Sequence, residues 1–304
     1  PFLAVTLFSS FFAAKRIGKI FSSADEKLLM AESPAEKKSI RAEAKKKAKV
    51  PMLFGILVPL AFLVVCKYSL FVLKNVNAVI SRLGAQPIGL FKMILPLGIS
   101  FYTFMAVGYV LDVYWKRIKA ENSFAAFAVF LTYFPHIVQG PIGRYGKFRE
   151  QFDPKKGVEL NTQNLAFGAE LVIWGLFKKL VIADRLSPFV GTFFDEPSKY
   201  SGLIMVIAAV LYSVQIYADF SGCIDIVSGI SEMLGIKLPK NFNHPYFSLT
   251  IPEFWRRWHI SLGEWFKDFV YFPVSTSEPV NNLRKAFKKR GYKKAELLAA
   301  STVP

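Results

Sequence analysis

Residues 52–73 read MLFGILVPLAFLVVCKYSLFVL, with Lys67 their one charged side chain. About 20 predominantly apolar residues suffice to cross a bilayer as a helix, and a lone lysine can run its stem along apolar surface towards the headgroups. The stretch predicts a membrane-spanning helix. Other tracts follow the same pattern. Residues 93–115 form a second apolar span, with Gly98, Gly108 and one acid, Asp112. Residues 124–138 are apolar but shorter, contain Pro135 and run towards Gly140-Pro141, which predicts a short crossing or a re-entrant piece. Residues 165–182, carrying Glu170, and 202–218 are two further candidates. The first segment, Pro1–Ala14, is apolar but too short to span. From 219 to about 273 Gly, Pro, Trp and charged residues interleave. Such a stretch cannot face lipid as irregular backbone, so it packs against other helices or lines a cavity.

Over 304 residues the chain is 53% hydrophobic and 15% aromatic, yet 39 Lys+Arg against 22 Asp+Glu leave a net charge of +17. The two properties are segregated: apolar residues gather in the tracts and cations in the segments between them. That pattern excludes a disordered chain, a disulfide-stapled secreted domain, since Cys66 and Cys223 are the two cysteines, and a soluble nucleic-acid binder. Residues 15–49 hold eleven Lys/Arg and five Asp/Glu, and residues 284–294 hold seven cations and no acid. By the positive-inside rule the segments 15–49 and 281–296 are expected to be basic cytoplasmic loops, attracted to anionic lipid. Nucleic acid is not expected there, because only Phe287 and Tyr292 interleave the second run. Lys116, Arg117 and Lys119 agree with a cytoplasmic end to the second span; Arg144–Lys156 fits it less comfortably. The expectation is an all-α, polytopic membrane protein whose residues 1–304 form a single membrane-embedded domain, truncated at both ends.

Chemistry is expected in residues 241–273, NFNHPYFSLTIPEFWRRWHISLGEWFKDFVYFP. Thr250 and Glu253 have capping-box spacing, and Pro252 sits in the first turn where its missing N–H costs nothing. A helix over 251–269 follows. At 100° per residue His259 shares a face with Trp255, Arg256, Leu262, Gly263 and Phe266, while Arg257 points to the opposite side. Two readings stay open. Either this is an interfacial helix with Trp anchors and a passive histidine, or its charged residues imply partners or a water-filled cavity in which His259 takes a proton from a hydroxyl. His136, after Pro135, reads as loop packing. His244, in the turn-forming Asn-Phe-Asn-His-Pro run, can line the same cavity. Asp219 and Asp225 read equally as interface residues or as partners of Arg256 or Arg257. Ser221 lacks the Gly-x-Ser-x-Gly elbow of a serine hydrolase. Cys66 and Cys223 read as buried thiols. Three His and two Cys without clustered spacing do not support a zinc site.

The run Pro252–Pro273, PEFWRRWHISLGEWFKDFVYFP, resembles the signature of the membrane-bound O-acyltransferase family in its bacterial branch. Three further matches follow in the family's order: Tyr133-Phe134-Pro135 with Gly140-Pro141-Ile142, then Tyr217-Ala-Asp219-Phe220-Ser221-Gly222, then Pro239-Lys-Asn241-Phe242. The likeness covers roughly residues 90–275, and its wording is nearest to the alginate-acetylating type. The resemblance implies a ring of transmembrane helices, with re-entrant and interfacial pieces, around a central tunnel in the cell membrane. It implies no bound cofactor; an acyl donor arrives from the cytoplasm as co-substrate, an acetyl thioester such as acetyl-coenzyme A or an acyl carrier. The acceptor is a hydroxyl of an exported polysaccharide, and a periplasmic or extracellular acetylation partner or acyl carrier protein is expected. D-alanyl transfer to teichoic acid is the alternative within the family. His259 matches the upstream of two polar positions, with Trp255, Arg256, Trp258, Asn241, His244 and Asp219 as substrate-binding or supporting residues. The resemblance puts a second, catalytic histidine in a later apolar helix. None follows residue 259 here, so the chain is expected either to continue past Pro304 or to be an inactive relative. From other classes, a transporter or channel is suggested by Pro59, Pro96, Gly98 and Gly108 but lacks an internal repeat, and a non-catalytic membrane scaffold fits the missing histidine.

Overall fold

A computed structural model describes residues 2–89, 96–137, 139–152 and 161–289. The chain falls into two compact units, Pro1–Val138 with Arg144–Glu150, and Gln139–Gly143 with Gln151–Pro304. Among the described residues it is helical, with one isolated antiparallel bridge.

In the first unit, α1 (Phe2–Met30) and α2 (Pro34–Arg82) form a hairpin against which α3 (Ile99–Tyr114) packs. Ser33 closes the hairpin. Its hydroxyl accepts from the Glu36 N–H at 3.1 Å, and Pro34 opens α2 where no N–H is needed. The apolar tract 52–73 is thus the middle of a 49-residue helix. Pro1–Ala14 and the basic segment 15–49 are likewise continuous helix apart from the turn at Ala31–Ser33, with Pro1 outside the described residues. Pro51 stands between the charged and apolar parts, yet the helix runs through it, so the composition changes and the backbone remains helical. α3 has 16 residues, about 24 Å at 1.5 Å per residue, which is short of the roughly 30 Å hydrocarbon core; residues 93–95 of the expected span lie outside the described residues. The tract 124–138 becomes two short helices, α4 (Phe124–Leu131) and α5 (Phe134–Ile137), interrupted at Thr132–Tyr133, with Val138 outside the described residues. A buried aromatic cluster of Tyr109, Phe127, Phe130 and Tyr145 joins α3 and α4 to α6 (Tyr145–Gln151). Glu121 anchors it, accepting from the Tyr145 hydroxyl at 2.6 Å and from Arg149 Nε at 3.2 Å. Asp112 is buried and meets Arg117 at 3.2 Å. Residues 153–156 of the basic stretch lie outside the described residues.

In the second unit, α7 (Thr162–Leu176) runs through a π turn (Phe177–Ala183) into α8 (Asp184–Asp195), and α9 (Gly202–Met233) packs along them. Two glycine pairs bring α7 and α9 together. A β-carbon built on Gly175 would lie 2.6 Å from the Gly222 carbonyl oxygen, and one on Gly168 would lie 2.5 Å from that of Gly229. Small residues on facing helices permit this backbone approach. The apolar tract ends at 218 and hydropathy turns mixed from 219, but α9 continues to Met233. Then come α10 (Ile251–Arg257), α11 (Ile260–Phe266), a second π turn (Lys267–Tyr271), α12 (Phe272–Ser275) and α13 (Glu278–Lys289). Residues 290–296 of the second basic segment lie outside the described residues. α2 and α9 are long and apolar enough to cross a membrane. Only 17% and 11% of their apolar windows are buried, so their apolar faces are directed outwards, unlike the core helices of a soluble protein.

Candidate active site

The expected helix over 251–269 forms in two pieces. Its start is as anticipated: Thr250 Oγ1 accepts from the Glu253 N–H at 3.3 Å, and Glu253 Oε2 reaches back to the Leu249 N–H at 2.9 Å. At Trp258 and His259 the helix breaks. Trp258 is extended and His259 is left-handed, with φ 47° and ψ 51°. An upstream segment holds the break open: Phe242 pairs with Trp258, the Asn243 N–H donates to the Arg257 carbonyl at 3.0 Å, and the Ile260 N–H donates to the Asn241 carbonyl at 2.9 Å. Asn241 is 1% exposed. Its Oδ1 accepts from the Ser261 N–H at 3.1 Å and from the Ser261 hydroxyl at 2.6 Å, and Ser261 Oγ in turn accepts from the Ile142 N–H at 3.0 Å. Asn241 therefore caps α11 from outside that helix, supplying the acceptors that its first N–H groups lack.

The break overturns the wheel arrangement around His259, because angles of 100° per residue do not carry through a left-handed residue. Trp255 is 57% exposed and meets the ring of Phe254, and Phe266 is half-exposed beside Trp265; neither walls His259. Its ring instead stands edge-on to Phe220 of α9, centroids 4.8 Å apart at 90°. Trp258 packs among Tyr217, Phe242, Tyr246 and Phe254, and the Tyr246 hydroxyl ties this cluster to the Ser213 carbonyl of α9 at 2.6 Å. His259 is partly buried, outside the two helices long enough to span. Burial pulls its pKa down from the usual value to about 4, leaving a neutral imidazole at pH 7.

The cations and acids pair differently from the expectation. Asp219 meets Lys179 at 2.7 Å, and Asp225 pairs with the buried Lys178, which also donates to Ser221 Oγ at 3.2 Å. Both lysines lie on the π turn that the glycine pair presses against α9, so Arg256 and Arg257 are not the partners. Arg257 binds Glu253 at 2.6 Å, while Arg256 is exposed. His244 is exposed and left-handed (φ 47°), its Nδ1 3.3 Å from Asn243 Oδ1 and its carbonyl accepting from Arg257 at 3.4 Å. The side chain of His136 lies outside the described residues. Sequence reasoning did not single out Phe220, Ser261 or Lys178. Phe220 stands inside the quoted Tyr217–Gly222 run, but Ser261 gives no local sign because its partner is twenty residues upstream.

The sequence profile described as "MBOAT, membrane-bound O-acyltransferase family" matches residues 117–285. The chain belongs to the membrane-bound O-acyltransferase family. The match takes in the Asn241–Ser261 node and His259. Among its relatives, the protein named "Probable alginate O-acetylase AlgI" from Pseudomonas aeruginosa is 36% identical over 76% of this chain and 45% of its own length. The peptidoglycan O-acetyltransferase of Helicobacter pylori is 34% identical over 73% of this chain and 46% of its own. The teichoic acid D-alanyltransferase of Bacillus subtilis is 30% identical over 58% of this chain and 44% of its own. The chain thus spans somewhat under half the length of these curated relatives. Membrane-bound O-acyltransferases work at a membrane, which accounts for the outward apolar faces of α2 and α9.

Proposed function

We propose that the full-length protein is a multi-pass cell-membrane O-acyltransferase, with residues 1–304 in one acyltransferase domain, that moves an acetyl group from a cytosolic thioester to hydroxyls of an exported cell-surface polysaccharide. The observation that carries this reading is the family match over 117–285, which includes His259, a partly buried histidine whose pKa burial lowers. The names of the alginate and peptidoglycan O-acetylating relatives support acetyl transfer to a polysaccharide. D-alanyl transfer to teichoic acid is the second reading, supported by relatives that match at lower identity over less of the chain. A carrier protein and an alanine-activating ligase encoded alongside would favour it.

In the proposed chemistry, the acceptor O–H gives its proton to a neutral imidazole as its oxygen bonds to the acyl carbon. The C–S bond breaks, and the thiolate leaves and takes up a proton. Arg256, exposed and without a carboxylate partner among the described residues, is a candidate to polarise the thioester carbonyl. Acetyl-coenzyme A or an acyl carrier serves as donor. The test is His259→Ala in the full-length protein at matched membrane expression. O-acyl content of the exported polymer is expected to fall by about 10²–10⁴-fold, the usual contribution of a positioned acid–base group. Wild-type acylation in that variant would overturn the reading.

A further inference from the structure

In the first unit a cleft of about 1040 Å³ opens between the charged half of α1, the end of α3 and the loop Lys116–Asn122. Small-molecule sites run from about 300 to 1,000 Å³, so the cleft has room for a ligand. Its walls are fixed. A β-carbon built on Gly18 would lie 2.7 Å from the β-carbon of Ala120, so a glycine lets the loop rest on the helix. Glu121 pins the loop from behind, accepting from Tyr145 and Arg149 while its N–H donates to the Tyr109 hydroxyl at 2.9 Å. Lys116, left-handed at φ 58°, lines the cleft with its ammonium 2.8 Å from Asp25 and over the Phe21 ring.

Charge in the lining does not balance. Lys116 pairs with Asp25 and Arg117 with Asp112. Lys15, Lys19 and Lys119 are left without a carboxylate partner among the described residues, against one remaining acid of the lining, Glu26. Ammonium groups converging on a cleft suit an anion with several acceptor oxygens, which a phosphate supplies. Depth decides which kind of phosphate. A β-carbon built on Gly55 would lie 2.7 Å from that of Ala13, so α1 turns from apolar to basic at the level where α2 does, and the cleft opens at the edge of the hydrocarbon layer. At 100° per residue Phe8 and Phe12 share a face of α1 with Lys15, Lys19 and Ser22. Both rings are at least half exposed, and Phe8 stacks on Phe12 and Phe124 with centroids 6.2 and 5.1 Å apart. An aromatic strip therefore runs from the cleft towards the bilayer interior. A soluble phosphate would leave that strip uncovered. Basic flanks face the cytoplasm, whose leaflet carries anionic lipid, and basic pockets between helices on that side take phosphate headgroups. We infer that the cleft binds an anionic phospholipid of that leaflet, its phosphate held by Lys15, Lys19 and Lys119 and an acyl chain laid over Phe8 and Phe12. The site stands apart from His259, and its failure would leave the acyltransferase reading untouched.

The test titrates the full-length protein in a non-ionic detergent with dioctanoyl-phosphatidylglycerol or dioctanoyl-phosphatidylcholine and counts bound lipid by native mass spectrometry. The wild type should prefer the anionic lipid. Lys19→Gln with Lys119→Gln removes two of the three cations and should weaken phosphatidylglycerol binding by about thirtyfold. Lys37→Gln with Lys38→Gln removes the same charge from the exposed start of α2, outside the cleft, and should bind as the wild type does. Phe12→Ala should weaken binding severalfold with the charge unchanged. All five side chains are exposed, so the variants are expected to fold, and matched thermal midpoints check it. Wild-type binding in the Lys19–Lys119 variant overturns the inference. So does an equal loss in the two double variants, which would mean diffuse attraction to the basic segment. Unchanged binding in Phe12→Ala overturns the place given to the acyl chain. Inorganic phosphate and coenzyme A serve as competitors. Displacement of the lipid by either at equal concentration would make the cleft a site for soluble phosphates and overturn the lipid assignment.

Discussion

His259 occupies a backbone region that L-residues avoid, at φ 47° and ψ 51°, because the β-carbon crowds the following carbonyl at a cost of roughly 1–2 kcal/mol. The strain persists because Asn241, Phe242 and Asn243 grip the chain on both sides of it. A prediction at this scale separates backbone from side chain. His259→Gly removes the imidazole and the strain together, whereas His259→Ala removes the imidazole alone. Thermal unfolding in detergent should find the Gly variant more stable than the Ala variant by about 1 kcal/mol, with both inactive; equal stabilities would show the turn to be unstrained. This residue also marks where the sequence stops being legible. The Thr250–Glu253 start and the importance of His259 follow from local spacing. The break does not, since Trp-His-Ile-Ser contains neither Gly nor Pro, and what breaks the helix is hydrogen bonding from a segment some eighteen residues upstream.

At the scale of elements, the pairing of α7 and its π turn with α9 decides what His259 meets. Gly175 and Gly222 allow the backbones to touch, which sets Lys178 and Lys179 against the residues on either side of Phe220, and Phe220 is the wall of the imidazole. Hydropathy located both tracts but placed the end of the second at 218, where Asp219, Ser221 and Gly222 lower it. The helix goes on because Asp219 and Asp225 are paired with Lys179 and Lys178, and Gly222 admits its neighbour. The two ion pairs should differ in weight. Lys178 is 8% exposed, so Lys178→Met leaves Asp225 poorly solvated and should cost about 3 kcal/mol, while Lys178→Met with Asp225→Leu should recover most of it. Lys179→Met, at a pair whose side chains are 33% and 44% exposed, should cost under about 1 kcal/mol. Midpoints of thermal unfolding for the four proteins check this, and a double variant no better than Lys178→Met would show that the pair does more than balance charge.

For the whole molecule the informative object is α2. Its 49 residues extend about 73 Å at 1.5 Å per residue, more than twice the roughly 30 Å that a hydrocarbon core requires. The apolar middle, 52–73, fits that core, and the Pro34–Val50 portion must then stand clear of it by about 25 Å. Its lysines are exposed, and Lys47 pairs with Glu43 one turn earlier at 2.6 Å, so this part of the helix belongs in water. Cationic flanks stay on the cytoplasmic side of a bilayer, and that assigns a direction to the helix. Lys46→Cys, in full-length protein whose Cys66 and Cys223 are replaced by Ala, should react with a membrane-impermeant maleimide only after the cells are opened. A cysteine placed at Asn77, beyond the apolar middle, should react in intact cells. Labelling of position 46 in intact cells would reverse the direction of α2. Failure of both positions to label, with the protein extracted by alkaline carbonate, would mean that α2 lies along the membrane surface and that its outward apolar face meets lipid without crossing it.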